Sequence, residues 1–84
     1  MEIILYQFDE CPYCEKVRQK LKELDVRYKK INVPYDREDS LRKELLEKSG
    51  VATVPVIKIN GKYIGGSADI IAHLEKNFRR KNQA

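Results

Sequence analysis

The chain has 84 residues and a formal net charge of +4, with 42% apolar and 36% charged residues. A chain of this length buries too little surface for more than one core, so we expect a single domain over residues 1–84. The apolar run Ile3-Ile4-Leu5-Tyr6 is too short for a membrane span or a signal-peptide core, which predicts a cytoplasmic protein without membrane contacts.

The first half of the chain predicts a βαβ unit. The apolar run from Ile3 to Tyr6 is typical of a covered strand. After Pro12 the apolar side chains recur at intervals of three and four residues, which predicts a helix that ends near Asp25. These residues are Cys14, Val17, Leu21 and Leu24. The segment from Val26 to Val33 is rich in β-branched and aromatic residues and predicts a second strand, parallel to the first.

A second helix is expected to follow Pro34. Asp36 is its predicted cap, and Gly50 supplies the left-handed residue after its end. Its inward side chains are expected to be Leu41, Leu45 and Leu46.

The last third of the chain predicts a β-hairpin and a final helix. Val56–Ile59 and Lys62–Ile64 flank Asn60-Gly61, a dipeptide that accepts the positive φ angles of a type I′ turn. Ser67 is the expected cap of the final helix. The apolar stripe of that helix is Ile70, Ile71, Leu74 and Phe78. The predicted order of elements is therefore βαβαββα, an α/β protein.

Much of the positive charge lies near the end of the chain, at Arg79-Arg80-Lys81. No aromatic or Gly residues alternate with these cations, so we interpret them as the solvated end of the last helix and not as a nucleic-acid site. We expect residues 80–84 to be frayed.

The two cysteines lie in the sequence Cys11-Pro12-Tyr13-Cys14, between the first strand and the first helix. In a βαβ context this spacing is typical of a thioredoxin-like redox motif. Pro12 suits the first helical position, and the free N–H groups of the first turn stabilise a thiolate on Cys11. Cys14 lies on the apolar face, where burial disfavours the charged form. We therefore expect Cys11 to be the nucleophile and Cys14 the resolving thiol.

Two simpler interpretations of the cysteines are a zinc half-site and a pair of inert core residues. A closed zinc site needs four ligands, and the chain offers only these two cysteines and the distant His73. Inert cysteines explain neither the spacing nor Pro12. We expect no metal, and a structural or solvated role for His73.

Three segments together resemble the signature motifs of the glutaredoxin family. They are Cys11-Pro12-Tyr13-Cys14, Thr53-Val54-Pro55 and Gly65-Gly66-Ser67-Ala68-Asp69. The first motif alone also resembles the N-terminal domain of glutathione transferases, which continue into a helical second domain. The resemblance implies a thioredoxin-like fold, with a four-stranded mixed sheet flanked by three helices. It also implies a cis Val54-Pro55 bond that faces Cys11.

The same resemblance implies a glutathione site. The residues that it assigns are Tyr13, Arg42, Thr53, Val54, Pro55, Gly66, Ser67, Ala68 and Asp69. Backbone groups of Val54 would pair with the cysteinyl segment, and the N–H groups around Ser67 and Ala68 would bind the γ-glutamyl carboxylate. Asp69 would meet the ammonium group.

The remaining two contacts have plainer interpretations. Arg42 would bind the glycyl carboxylate, and Tyr13 would pack against the tripeptide. Without the resemblance, Arg42 is expected to be a surface residue and Tyr13 an exposed aromatic. Gly66 and Ser67 are in either case expected to cap the last helix.

Two features depart from the family pattern. Phe8 occupies a position where many members carry a Lys, and Asp9 and Glu10 place negative charge directly before Cys11. Like charge opposes ionisation of a thiol, so the helix start must outweigh both carboxylates. The segment Ser67-Ala68-Asp69 also lacks the acidic residue that commonly precedes the last Asp.

The resemblance implies reduction of protein disulfides through both cysteines and of glutathione mixed disulfides through Cys11. Its implied partners are glutathione as co-substrate and disulfide-containing or glutathionylated proteins, with no tightly bound cofactor and a monomeric state. Phe8 and the acidic pair leave open a second electron donor, thioredoxin reductase. A dimer that shares an iron-sulfur cluster is a further alternative, which Tyr13 and Cys14 disfavour because cluster-carrying members usually have Gly and Ser there.

Overall fold

Four strands and three helices follow one another in a computed structural model that describes residues 2–36 and 38–78. They are β1 (Ile3–Gln7), α1 (Pro12–Glu23), β2 (Lys29–Asn32), α2 (Ser40–Ser49), β3 (Val56–Ile59), β4 (Lys62–Gly65) and α3 (Ser67–Asn77). The predicted order of elements is confirmed. The basic segment 79–81 and the predicted frayed end at 80–84 lie outside the described residues.

The strands form one mixed sheet in the order β2-β1-β3-β4. β1 is parallel to β2 and antiparallel to β3, so that Leu5 lies opposite Lys30 on one side and Ile57 on the other. β3 and β4 form the predicted hairpin. Its turn residues Asn60 and Gly61 have φ angles of 50° and 85°, as a type I′ turn requires. The βαβ unit and the four-stranded mixed sheet are therefore both confirmed.

Two apolar clusters cover the two faces of the sheet. Leu5 and Ile57 belong to the larger cluster, which α1 and α3 complete. Tyr6 and Val56 belong to the smaller one, which also contains Cys14. Because successive side chains of a strand point to opposite faces, the smaller cluster lies across the sheet from the larger one. Cys14, at the start of α1, therefore packs in the same cluster as Leu45 of α2.

The two ends of α2 match the prediction differently. The predicted cap Asp36 is wrong, because α2 begins later and the Asp39 carboxylate accepts the Leu41 N–H at 2.9 Å. Asp36 instead accepts the Glu38 N–H in the preceding turn. The predicted left-handed Gly50 is confirmed, with φ 74°.

The inward face of α2 also differs from the prediction. Leu45 is buried as expected, but Leu46 is 47% exposed. Arg42 is buried in its place and is only 8% exposed. Half-buried Leu41 and the buried residues Arg42 and Leu45 fall within an arc of about 100°, and position 46 lies outside that arc.

Two element ends are shifted. β2 contains only Lys29–Asn32, and Val26 and Tyr28 pack against the core from outside the strand. Of the two predicted caps of α3, Gly66 is confirmed, with φ 89°, and Ser67 is wrong, because it is the first helical residue. The α3 stripe is confirmed, since Ile70 and Leu74 are fully buried and its other members pack against the same core.

Candidate active site

Cys11 occupies the N-cap of α1, directly before Pro12. Its extended backbone, with φ −87° and ψ 119°, places the side chain over the start of the helix. The Cys14 N–H donates to the Cys11 sulfur at 3.3 Å. One of the free N–H groups of the first turn of α1 therefore donates to this sulfur.

Cys14 lies one turn further along α1 and is fully buried, with 0% exposure. Burial raises the pKa of the Cys14 thiol to about 11, and the neighbouring Cys11 sulfur acts in the same direction. A backbone hydrogen bond from Phe8 and the charge of Arg18 act in the opposite direction. No disulfide joins the two cysteines in this structure. Cys14 is thus a neutral thiol held beside the more accessible Cys11.

The segment Thr53-Val54-Pro55 approaches the cysteines from the start of β3. The Val54-Pro55 bond is cis, as the resemblance implies. Val54 is buried in the cluster that contains Cys14, and Cys11 packs against the same cluster. The Gly66 N–H donates to the Pro55 C=O at 3.1 Å, which joins this segment to the start of α3. The structure therefore brings all three motifs to one place.

The start of α3 presents an open helix end next to that junction. Gly66 is its cap, and no side chain caps the helix. Ala68 and Asp69 are exposed and Ser67 is half-buried. The first N–H groups of a helix have no partners within the helix, so this end is able to bind an anion.

Arg42 is not a surface residue, so that interpretation is wrong. Its Nη1 donates to the carbonyls of Pro34 and Tyr35 at 2.9 and 3.3 Å, and its Nη2 donates to the Ala52 C=O at 3.3 Å. The guanidinium carbon lies 5.4 Å from the centre of the Phe8 ring. Arg42 thereby ties the loop before α2 to the loop that leads into the Thr53 segment.

Aromatic side chains form the outer edge of the site. Tyr13 is 59% exposed, and the Lys16 ammonium lies 5.6 Å from its ring centre. Phe8 stacks on Tyr35 with 4.4 Å between ring centres. The position where the family often has a Lys is therefore occupied by an aromatic ring, which is in contact with the Tyr35 ring and the Arg42 guanidinium.

His73 is half-buried on α3 beside Asn77, and the described residues contain no group of three His, Cys, Asp or Glu suited to a metal.

The sequence did not predict the polar cluster around buried Gln7, next to the loop before Cys11. Its other members are Asp9, Arg18 and Asn32. Gln7 is 0% exposed, and its Nε2 donates to Asn32 Oδ1 at 2.8 Å and to Asp9 Oδ1 at 3.1 Å. Arg18 Nη1 donates to Gln7 Oε1. The Asp9 carboxylate also accepts from Asn32 Nδ2 at 3.2 Å. A polar side chain at an inward strand position, two residues after buried Leu5, is the signal that indicates this cluster.

A mixed sheet with a parallel βαβ unit, a cysteine pair at the start of its helix and a cis proline before β3 define a thioredoxin-like dithiol domain. The family model described as the N-terminal domain of glutathione S-transferase matches residues 5–82.

No helix among the described residues is long and apolar enough to cross a bilayer.

Curated relatives identify the family within the thioredoxin-like fold. Glutaredoxin 1 of Rickettsia conorii is 36% identical over 77 residues, which cover 92% of this chain and 74% of that protein. Glutaredoxin-C4 of Arabidopsis thaliana is 39% identical over 77 residues, which cover 83% of this chain. This chain spans about half of the Arabidopsis protein, 53% of its length. The chain belongs to the glutaredoxin family.

A solved structure agrees on the fold. Glutathione transferase E6 of Drosophila melanogaster matches with a TM-score of 0.85 and 32% identity. The match covers 96% of this chain and 37% of the transferase. The thioredoxin-like fold is therefore common to this chain and to that part of the transferase.

Proposed function

We propose that this protein is a glutathione-dependent thiol-disulfide oxidoreductase that acts through Cys11 and Cys14. The observation that carries the proposal is the unequal environment of the two sulfurs. Cys11 is only half-buried and accepts a hydrogen bond from the first turn of α1, whereas Cys14 is buried with a pKa of about 11. One sulfur is suited to attack and the other to resolution. The glutaredoxin relatives support the same activity.

In the first step the Cys11 thiolate attacks one sulfur of the substrate disulfide. A bond forms between Cys11 and that sulfur, and the other substrate sulfur leaves as a thiolate that takes a proton from water. In the second step Cys14 loses its proton to solvent and attacks the Cys11 sulfur. The Cys11–Cys14 disulfide forms and the second substrate thiol leaves. Two glutathione thiols then reduce this disulfide and leave as glutathione disulfide.

Glutathione would bind across the three joined motifs. Backbone groups of Val54 would pair with its cysteinyl segment, since extended peptides add to exposed backbone in this way. The open start of α3 would bind the γ-glutamyl carboxylate, with Asp69 facing the ammonium group. The contacts proposed for glutathione are Tyr13, Arg42, Thr53, Val54, Pro55, Gly66, Ser67, Ala68 and Asp69.

Arg42 would bind the glycyl carboxylate only with the donors that its three carbonyl partners leave free. A guanidinium has five N–H donors, and three of them are used here. We therefore propose a structural role for Arg42 alongside any contact with glutathione. We further propose one domain over residues 1–84, a monomeric cytoplasmic protein, and no nucleic-acid partner, membrane contact or tightly bound cofactor.

Two substitutions test the activity. In a coupled assay with glutathione, glutathione reductase and NADPH, Cys11→Ser should abolish reduction of both protein disulfides and glutathione mixed disulfides. Cys14→Ser should retain reduction of glutathione mixed disulfides and lose most of the reduction of protein disulfides. An active Cys11→Ser protein would refute the proposal.

The electron donor is tested in the same assay. Phe8, stacked on Tyr35, stands where a family Lys would assist glutathione, and this favours thioredoxin reductase as a second candidate donor. If NADPH consumption requires thioredoxin reductase and glutathione with its reductase cannot replace it, glutathione is not the reductant.

The match to transferase N-terminal domains favours a second candidate function, conjugation of glutathione to an electrophile. That reaction uses the glutathione sulfur as nucleophile and has no need of Cys14. Chlorodinitrobenzene conjugation measured with wild type and Cys14→Ser separates the two functions. We expect negligible conjugation by either protein, and conjugation by both with no disulfide reduction would support the transferase function.

A further inference from the structure

The side chain of Arg18 hydrogen-bonds to the backbone of the loop before Cys11. Its Nη2 donates to the Asp9 C=O at 3.3 Å, and its Nη1 donates to Gln7 Oε1 and, at 3.5 Å, to the Phe8 C=O. Gln7 is fully buried at the end of β1, so it is a fixed acceptor. The loop therefore has a rigid attachment to the side of α1.

The Phe8 backbone connects this attachment to both cysteines. Its C=O accepts the Cys11 N–H at 3.4 Å. A hydrogen bond from the Phe8 backbone to the Cys14 sulfur also acts to lower the pKa of Cys14. A displacement of Phe8 would thus alter the hydrogen bond on the Cys14 sulfur. Arg18 controls this position because it binds the residues on each side of Phe8 as well as Phe8 itself.

Arg18 also follows Cys14 by four residues on α1, so the two side chains lie on one helix face. Its positive charge acts on Cys14 against the effect of burial. The other groups that act on Cys14 are the Cys11 sulfur and the Phe8 backbone. Two further titratable side chains pack against the cluster that contains Cys14, Tyr6 from β1 and Tyr63 from β4. The charged Arg42 of α2 lies over the Phe8 ring.

We propose that Arg18 is a positioning residue for the resolving step, because it fixes the Phe8 backbone against the Cys14 sulfur and places a cation one helical turn away. The inference rests on the proposed dithiol function. In that step Cys14 gives its proton to solvent, its sulfur bonds to Cys11 and the Cys11–substrate disulfide breaks. The substrate leaves as a thiolate and takes up a proton. A cation that favours the Cys14 thiolate accelerates this step and not the first attack by Cys11.

Release of a coloured thiolate from dithiobis(nitrobenzoate) separates the two steps in the full chain. Attack by Cys11 releases one nitrobenzoate thiolate, and resolution by Cys14 releases the second. With excess reagent the first phase becomes fast, and stopped-flow absorbance then gives the rate of the second phase. Arg18→Gln removes the charge but keeps a donor for Gln7. Arg18→Lys keeps the charge. Lys22→Gln is the control, because it makes an equal change of charge at an exposed position of the same helix.

We expect Arg18→Gln to slow the second phase about tenfold at neutral pH and to leave the first phase within about twofold. Lys22→Gln should resolve at close to the wild-type rate. Arg18→Lys keeps the charge but cannot make all three contacts of the guanidinium, so its rate should fall between those of wild type and Arg18→Gln. The deficit of Arg18→Gln should shrink as the pH rises through the Cys14 pKa of about 11, and it should disappear once Cys14 is ionised in both proteins. Equal slowing of both phases, or an unchanged second phase, would overturn the role of Arg18 alone. A wild-type protein that releases no thiolate would overturn the dithiol function as well.

Discussion

The raised pKa of Cys14 predicts a specific loss of stability at alkaline pH. The folded protein holds the Cys14 proton up to a pKa of about 11, whereas the ordinary thiol value is 9.0. Between these values the unfolded chain releases the proton first, so the free energy of unfolding falls as the pH rises. Two pKa units correspond to a loss of about 3 kcal/mol. Below about pH 9 the contribution is fully present.

The measurement is urea unfolding of wild type and Cys14→Ala, each with a reductant, at several pH values from neutral to about 11. The pKa of Tyr6 is also raised by burial, but this group is present in both proteins and its contribution cancels in the difference. The wild type should lose about 3 kcal/mol relative to Cys14→Ala across the interval. A difference that stays constant with pH would show that burial does not hold the Cys14 proton, and the assignment of the two roles would lose its physical basis.

Three further substitutions test the supports of the site by urea unfolding. Arg42→Lys keeps the charge but cannot reproduce three carbonyl contacts, so we expect a loss of about 3 kcal/mol, and unchanged stability would contradict the structural role. Gly65→Ala should cost about 1 to 3 kcal/mol because its Cβ would lie 2.3 Å from Val51 Cγ2, and a variant as stable as wild type would refute this close contact. Asp39→Ala should cost about 1 kcal/mol through the lost cap of α2, and Asp36→Ala should cost less, so the reverse order would contradict the observed helix start.

The features that the sequence predicts well are those set by local signals. Asn60-Gly61 needs positive φ at both residues, and few other dipeptides accept this conformation. The apolar spacing after Pro12 continues for a full helix, so α1 and the burial of Cys14 follow from the pattern alone. The position of the cysteine pair in the βαβ unit is then fixed by chain order.

The features that it misses depend on tertiary contacts. The wrong caps, Asp36 and Ser67, are residues that favour helix starts. The surrounding chain places Asp39 at the start of α2, and at the start of α3 it selects Gly66, the other predicted cap. Burial of Arg42 requires three carbonyls from two loops to converge on one guanidinium, which no pattern within α2 reveals.

The Gln7 cluster is missed for the same reason. It joins β1, α1 and the end of β2, so its members are separated by up to 25 positions in the chain. It also fixes the position of Asp9, whose carboxylate accepts hydrogen bonds from the side-chain amides of Gln7 and Asn32.

The most direct test of the central claim, that Cys11 attacks and Cys14 resolves, is a mass-spectrometric peptide map after reaction with glutathione disulfide. Cys14→Ser should accumulate one glutathione per chain, attached to Cys11, because the resolving thiol is missing. Cys11→Ser should accumulate none on the time scale of the wild-type reaction, because Cys14 is buried and neutral. Rapid attachment of glutathione to Cys14 in the Cys11→Ser protein would contradict the account.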